Sequence, residues 1–290
     1  MPVTVNAFLA INKPAGITSF EVIRRLRRIT GIRKIGHTGT LDPFATGLLI
    51  CCTGSYTRLS CFLEKEEKTY LATMKLGAKT STGDTEGEII QTAPVPIFAD
   101  KLAALEAKAL DLAELSVPAY SAVKIQGKRA YELARQGKIL ELPMRPVKIS
   151  EFKFLVEEQN APDELTYRCK VSKGTYIRAL SEWLAEQIQT LAYTISLKRE
   201  SIGKITLQDA VALEDLKTDN WTNSQISYER VFPDWTCLKL NDEELYKVIN
   251  GMDIEFSESS SDIILLLNQD ELCALGKKSN NVIHPFIVLK

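Results

Sequence analysis

The sequence predicts an α+β protein, with one large domain built around a β-sheet and a small β-rich module after it. Three observations lead to this fold class. Two segments alternate between apolar and polar residues, as half-buried strands do, and three others repeat apolar residues at helical spacing. The segment 236–290 contains only short alternating runs between turn residues. Hydrophobic residues make up 45% of the 290-residue chain, which excludes a disordered or collagen-like protein.

The first predicted element is a helix that begins after Thr18 and ends at Gly31. Thr18 and Glu21 fit a capping box, in which each side chain binds the backbone amide of the other residue. A glycine favours the end of a helix because it adopts the left-handed conformation without strain. Apolar residues recur at helical spacing inside the segment, so the arginines between them are expected to point outward. These apolar residues are Val22, Ile23, Leu26 and Ile29.

The next elements alternate between helices and strands. Segments 69–76 and 165–171 have the period of two that is typical of strands. Segments 103–115 and 177–188 have the apolar spacing of helices. The segment 216–235 is polar and aperiodic, which indicates a domain boundary. We therefore predict domains at 1–235 and 236–290.

The net charge of −1 conceals two basic stretches and an acidic C-terminal end. Residues 11–40 carry seven basic residues and one acid, and residues 121–153 carry eight basic residues and three acids. Residues 241–290 carry nine acids and four bases. Two basic stretches in a neutral protein indicate a polyanion bound on one surface. Charge alone leaves an ordinary solvated helix surface equally open.

The residues offer little for a metal, a disulfide or a nucleotide cofactor. The six cysteines include no Cys-x-x-Cys pair, and the chain has only two histidines, His37 and His284. We expect reduced thiols that are buried or half-buried. The glycines of 77–83 lack the spacing of a phosphate-binding loop. We predict no cofactor and no bound metal.

Nothing in the chain predicts a membrane protein. The longest purely aliphatic run, 263–267, is far short of the ~20 residues that span a bilayer. The N-terminal residues lack the basic and apolar regions of a secretory signal. We therefore expect a cytoplasmic protein without membrane association.

The segment 36–47, GHTGTLDPFATG, is the least ordinary in the chain. Its glycines permit tight turns and the close approach of a ligand to the backbone. Asp42 precedes Pro43, which favours an extended conformation and a carboxylate presented from a loop. Such a carboxylate can attack an anomeric carbon, as in retaining glycosidases. An aspartate before a proline is also a common turn residue, so the residues alone leave both roles open.

Two blocks of sequence resemble the opening motifs of the TruB family, the bacterial tRNA pseudouridine synthases that modify uridine 55. They are INKPAGITS at 11–19 and the GHTGTLDPFATG segment. The resemblance covers about residues 8–216 in family order, and it implies a pseudouridine synthase fold with a central, largely antiparallel sheet. Residues 240–290 resemble a short, divergent PUA-type module. The further matching segments are 68–70, 76–87, 118–124, 172–178 and 197–203.

The resemblance assigns roles to individual residues. Asp42 matches the catalytic aspartate, Arg178 the arginine that pairs with it, and Tyr70 the tyrosine that stacks on the target base. These three are the predicted catalytic residues. Lys13 either supports the catalytic loop or contacts RNA, and Asp84 is expected to structure a loop. The predicted substrate-binding residues are Lys13, His37, Tyr176 and Leu197.

The resemblance also implies the substrate and the way it is bound. The target uridine lies in the T-loop of tRNA and must be flipped out of its stack. An insertion at about 118–150 is expected to grip the tRNA elbow, and the two basic stretches to bind phosphates beside the cleft. The C-terminal module is acidic and therefore a poor phosphate binder. The protein is expected to act as a monomer, with tRNA as its partner and no nucleotide cofactor.

Three alternatives belong to other functional classes or branches. A Cbf5-like, guided synthase shares the motifs, but the near-neutral charge and the insertion argue against it. A tRNA-folding chaperone with secondary catalysis is compatible with the same RNA-binding surface. A glycoside hydrolase using Asp42 would need a second carboxylate, and the motifs contain no identifiable partner.

Overall fold

The structure is a computed structural model that describes residues 5–121, 123–125, 127–136, 142–158, 161–257 and 261–289. The helices are α1 (Ser19–Thr30), α2 (Ser60–Lys65), α3 (Leu102–Leu110), α4 (Ala130–Arg135), α5 (Ile177–Gln187), α6 (Tyr228–Val231) and α7 (Asp242–Ile249). The first strands are β1 (Phe8–Lys13), β2 (Ile35–His37), β3 (Thr46–Thr53), β4 (Lys68–Leu76), β5 (Ala78–Thr80), β6 (Ile89–Thr92), β7 (Glu114–Ser116), β8 (Lys124–Ile125), β9 (Lys128–Arg129), β10 (Met144–Pro146) and β11 (Ile149–Phe154). The later strands are β12 (Glu164–Val171), β13 (Ala192–Ile202), β14 (Ile205–Thr206), β15 (Val211–Ala212), β16 (Gln225–Ile226), β17 (Thr236–Lys239), β18 (Ile254–Glu255), β19 (Ile263–Asn268), β20 (Glu271–Ser279) and β21 (Val282–Val288).

A central sheet carries the large N-terminal part of the chain. Its strand order is β11-β12-β4-β13-β3-β1-β15. The β13–β3 and β1–β15 pairs are parallel, and the other neighbours in this order are antiparallel. The sheet is therefore largely antiparallel, as the family resemblance implies. Because β3 and β13 are neighbours, the loop that precedes β3 lies against β13, which is distant in sequence.

Helix α1 lies where the sequence predicts it, but its capping box is only half formed. The Thr18 side chain accepts a hydrogen bond from the Glu21 amide at 3.0 Å, and Gly31 ends the helix with φ +73°. The Glu21 carboxylate pairs instead with the guanidinium groups of Arg24 and Arg25. A charged partner one turn away competes with the backbone amide for this carboxylate. The helix arginines are exposed, as predicted.

The predicted strands 69–76 and 165–171 are β4 and β12, and the predicted helix 177–188 is α5. The helix predicted over 103–115 is correct only in its first part. It ends at Leu110, and residues 114–116 form β7, which pairs with β10. Periodicity cannot reveal this strand, because pairing with residues thirty positions further along the chain decides its conformation.

The segment predicted to be an aperiodic boundary is folded against the large sheet. Strand β16 pairs with β1, and Trp221 and Phe232 are buried. After this segment, the C-terminal strands form a sheet of their own with the order β17-β19-β20-β21-β18. Asn250-Gly251 forms a turn after α7, with φ +72° at Gly251. The domain limits at 235 and 236 stay a prediction.

A single cluster of buried side chains joins the two sheets. Leu265 and Leu275 of the C-terminal sheet pack in the same cluster as Phe8, Leu63 and Phe232. The guanidinium of Arg58 donates a hydrogen bond to the Val288 carbonyl at 2.6 Å. The C-terminal module therefore shares a core with the rest of the protein.

The cysteine prediction is correct for four residues and wrong for two. Cys51, Cys52 and Cys169 are buried, and Cys273 is half-buried, but Cys61 and Cys237 are exposed. Burial raises the pKa of the Cys51 thiol to about 12, so this thiol stays protonated. None of the helices in the described ranges is long and apolar enough to cross a membrane.

Candidate active site

Asp42 lies in the loop between β2 and β3, and buried groups hold this loop. The Lys13 side chain is fully buried and donates to the carbonyl oxygens of Pro14, Ile17 and Pro43, at 2.9, 2.7 and 3.2 Å. The Gly16 amide donates to the same Pro43 carbonyl at 2.9 Å. Of the two roles predicted for Lys13, the structure favours support of the loop. Contact with RNA would require this side chain to leave its buried position.

Arg178 forms a bidentate ion pair with Asp42. Its Nε lies 2.9 Å from one carboxylate oxygen, and its Nη2 donates to the other at 3.2 Å. The guanidinium also donates to the carbonyl oxygens of Thr82 and Tyr120, at 2.6 and 3.0 Å. Paired, parallel hydrogen bonds of this kind fix the orientation of a carboxylate as well as its charge. The sequence places these two residues 136 positions apart, and the fold brings them together.

A second carboxylate, that of Asp84, lies on the opposite side of the same guanidinium. It is 3.4 Å from Nη1 of Arg178, and its own exposed fraction is 4%. It also accepts hydrogen bonds from the Thr82 hydroxyl at 2.5 Å and the Glu86 amide at 3.0 Å. Asp84 therefore structures its loop, as predicted, and in addition shares Arg178 with Asp42.

The Asp42 carboxylate is both enclosed and reachable. About a third (33%) of its side chain is exposed, against 4% for Arg178. Burial raises the pKa of Asp42 above its ordinary value, the Arg178 charge opposes this rise, and the Asp84 charge adds to it. One face of the carboxylate is thus open to a ligand while the other is held by Arg178. This is an arrangement suited to attack on a bound substrate.

Tyr70 and Leu197 lie on the adjacent strands β4 and β13. Tyr70 on β4 is 8% exposed and lies opposite Arg199 of β13 in the sheet register. Leu197 on β13 lies opposite Ala72 of β4. Both belong to the cluster of buried side chains that includes Leu41, the neighbour of Asp42. Tyr70 and Leu197 therefore share a buried cluster with a residue of the Asp42 loop.

Tyr176 and His37 lie at the ends of elements that reach the site. Tyr176 is half-buried and caps α5, two residues before Arg178. His37 ends β2 and is half-buried, and its Nδ1 accepts a hydrogen bond from the Gly39 amide at 3.4 Å. Burial and the nearby Arg199 charge lower the pKa of His37. A neutral imidazole that accepts at Nδ1 carries its proton on Nε2.

Sequence reasoning assigned no role to two residues that hold the site. The Ser19 hydroxyl accepts from the Leu41 amide at 2.9 Å and donates to the Leu41 carbonyl at 3.1 Å, so the start of α1 is tied to the Asp42 loop. Arg199 is buried beneath the same loop. Both residues stand inside the matching motifs, at the end of INKPAGITS and in the 197–203 block. Their position inside these motifs is the sequence feature that links them to the site.

The predicted RNA surface is partly described. The α1 arginines are exposed, and Phe20, 63% exposed at the start of the helix, has the Arg27 guanidinium over its ring at 5.9 Å. In the second basic stretch, Arg145 and Lys148 are exposed. Several of its other basic side chains, and residues 122, 126 and 137–141 of the insertion predicted at about 118–150, lie outside the described residues.

Solved structures identify the fold. A chain from an H/ACA ribonucleoprotein bound to a substrate RNA containing 2′-deoxyuridine matches with a TM-score of 0.67 and 22% identity, over 98% of this chain and 85% of that chain. A chain from a Cbf5–Nop10–Gar1 complex matches with a TM-score of 0.69 and 20% identity, over 98% and 85%. The fold is that of the pseudouridine synthases.

Sequence comparisons identify the family of the protein. The family model described as "TruB family pseudouridylate synthase (N terminal domain)" matches residues 27–177. A tRNA pseudouridine synthase B of Clostridium novyi is 38% identical over 257 residues, 86% of each chain. Proteins of the same name from Geobacillus kaustophilus and Thermus thermophilus are 38% and 36% identical, over 85% of this chain and 90% and 87% of theirs. The chain belongs to the TruB family of pseudouridylate synthases, which are enzymes.

Proposed function

We propose that this enzyme converts uridine 55 in the T-loop of tRNA to pseudouridine, with Asp42 as the nucleophile. The observation that carries the proposal is the partly exposed Asp42 carboxylate, which the buried Arg178 holds in a bidentate ion pair. The names of the relatives, tRNA pseudouridine synthase B, support tRNA as the substrate. The motif resemblance supports the position of the uridine in the tRNA.

The reaction makes a stringent but simple chemical demand. The N1–C1′ bond of uridine breaks, the uracil turns, and a C5–C1′ bond forms. The proton on C5 leaves to a base and N1 acquires a proton, so the product is an isomer and no electrons are exchanged. A carboxylate beside C1′ or C6 supplies the nucleophile. Arg178 supports this role because its charge favours the ionised form of Asp42.

The walls of the site suit an extruded base. A uridine in a structured loop must be unstacked before its C1′ can meet a carboxylate. Tyr70 would stack on the uracil and Leu197 would exclude water, with Tyr176 at the pocket edge. The support for these roles is that Tyr70 and Leu197 belong to the same buried cluster as Leu41 of the Asp42 loop.

The α1 surface supports RNA binding next to this pocket. Its arginines are exposed, and the Ser19–Leu41 hydrogen bonds tie the start of the helix to the loop of Asp42. Guanidinium groups on one helix face can contact successive phosphates. His37 would lie beside the extruded nucleotide, on the same loop as Asp42.

The deciding experiment follows tritium release from a tRNA transcript labelled at C5 of its uridines. Carbodiimide treatment and primer extension locate the product. We expect release and a product at position 55 with the wild-type protein, and none with Asp42→Asn. Asp219→Asn, which changes an exposed aspartate far along the chain, is the matched control and should keep full activity.

Two outcomes would contradict the proposal. Release by Asp42→Asn at the wild-type rate would remove Asp42 from the chemistry. Tight tRNA binding without release from any of the three proteins would instead favour the folding-chaperone alternative.

A further inference from the structure

Arg199 on β13 is a buried cation that the chemistry above does not use. Its exposed fraction is 1%, and it is among the largest fully buried side chains in the described chain. Its Nε donates to the Leu48 carbonyl at 2.7 Å, and its Nη2 donates to the Gly39 carbonyl at 3.1 Å. Among the ion pairs of the described residues, none involves Arg199. Burying a guanidinium without a carboxylate partner costs free energy, which its two hydrogen bonds to backbone carbonyl groups partly offset. A buried cation kept in this position at such a cost requires a reason.

The two carbonyl groups bracket Asp42. Gly39 is three residues before it, and Leu48 is six residues after it in β3. The Gly39 peptide is held at both ends, because its amide donates to His37 Nδ1 and its carbonyl accepts from Arg199. Gly39 has φ +139°, a backbone conformation that favours glycine over residues with a side chain.

Lys13 holds the same segment from the other side. Its ammonium group binds the Pro43 carbonyl, directly after Asp42. Two buried cations, one from β1 and one from β13, therefore hold three carbonyl groups in the ten residues 39–48. A planar guanidinium is suited to bridging two acceptors in fixed directions, which an ammonium group does less well.

We propose that Arg199 is a positioning residue for pseudouridine formation, which fixes both ends of the Asp42 segment so that the carboxylate meets Arg178 and the substrate. It does not touch the substrate. The proposal rests on the role of Asp42 proposed above. A displacement of the reacting group by about 1 Å can lower the rate about 100-fold. Loss of the two hydrogen bonds that Arg199 donates to this segment should therefore have a measurable effect on the rate.

The Arg199 charge provides a separate spectroscopic signature. It contributes to the lowered pKa of His37, together with burial, and Glu64 acts in the opposite direction. The chain has only two histidines, and the other, His284, pairs with Asp253 in the C-terminal module. Two imidazole signals in an NMR titration therefore report on one site residue and one internal control.

The experiment compares Arg199→Lys and Arg199→Met with the wild type in kinetics and in a histidine titration. Arg199→Lys keeps the charge and loses the bridge, so we expect kcat to fall about 10- to 100-fold with KM unchanged within about twofold. Its His37 pKa should stay low. In Arg199→Met, kcat falls at least as far and the His37 pKa rises, because the Arg199 charge is lost.

Arg168→Lys and Arg168→Met are the matched controls. Arg168 lies on β12 in the same sheet, 48% exposed and paired with Glu200, and both variants should behave as the wild type. Because Arg199→Met removes the guanidinium donors from the Leu48 and Gly39 carbonyl groups, Arg199→Lys is the deciding variant.

Three results would overturn the proposal: wild-type kcat in Arg199→Lys, a loss that appears only in KM, or loss of folded structure in Arg199→Lys, which would assign the residue to the fold. If the wild type forms no pseudouridine, the proposed function fails instead. The amide signals of residues 39–42 and the His37 titration then still test whether Arg199 holds the loop.

Discussion

Arg178 is the central charged residue of the site, because it forms ion pairs with two carboxylates. Its buried guanidinium serves two carboxylates, Asp42 and Asp84, and only Asp42 is open to a ligand. One cation between two anions cannot neutralise both, so the Asp84 charge opposes the ionisation of Asp42. Asp84 therefore has two opposing effects. It holds Arg178 in place and raises the pKa of Asp42.

The Asp84→Asn variant separates these effects. Removing its negative charge lowers the pKa of Asp42, so Asp42 stays ionised to lower pH. If ionised Asp42 is the active form, the acid limb of kcat/KM against pH moves to lower pH. The lost ion pair with Arg178 should lower kcat about tenfold at neutral pH. Steady-state kinetics between pH 4 and 8 would check both expectations.

A matched control for this prediction is Asp163→Asn, which removes an exposed carboxylate paired with Lys75 and should leave the profile unchanged. An acid limb that moves to higher pH in Asp84→Asn would show that the carboxylate acts on Asp42 chiefly through Arg178.

At the scale of elements, the site depends on the close parallel contact of β3 and β13. Gly47 and Arg199 are partners in this pair, and Gly47 has φ +101°. A Cβ atom at Gly47 would overlap the carbonyl oxygen and the amide nitrogen of Arg199. Only glycine lets the strand that follows Asp42 approach the strand that carries Arg199.

We expect Gly47→Ala to lower the free energy of unfolding by about 2–5 kcal/mol. The unfavourable φ contributes about 1–2 kcal/mol and the backbone overlap a further ~1–3 kcal/mol. Gly31→Ala is the control, since Gly31 also has a positive φ but no atoms within 4 Å of an added Cβ, and it should lose only the first contribution. Urea denaturation measures both, and equal losses would contradict the close approach.

At the scale of the whole molecule, the shared cluster predicts cooperative unfolding. The rings of Phe62, Phe232, Trp235 and Phe286 meet where the two sheets join. Separation of the sheets would expose this apolar surface to water. We therefore expect one transition in a calorimetric scan of the full chain.

Two variants test this expectation. Leu275→Ala truncates a side chain in the shared cluster, and Ile264→Ala truncates one in the separate core of the C-terminal module. Each should cost about 2–5 kcal/mol and lower the temperature of the same single transition. A second transition that moves with Ile264→Ala while the first stays in place would show that the module unfolds independently.

The sequence by itself determined the fold class, the helices α1 and α5, the strands β4 and β12, and the segment that carries Asp42. These features depend on local patterns: periodicity for β4 and β12, helix-end residues for α1, and a motif for the Asp42 loop. The residues expected to act on the substrate could also be named, because the motifs that contain them are contiguous.

Only the tertiary structure decided how this segment is held and what surrounds it. The bonds from Arg199 to Gly39, from Lys13 to Pro43 and from Arg178 to Asp42 and Asp84 join residues separated by about 30 to 160 positions. A long-range contact has no period and no local composition, because its energy comes from groups that meet only after the sheet has formed. For the same reason the sequence could not predict that β7 is a strand, or that the C-terminal module shares its core with the catalytic part.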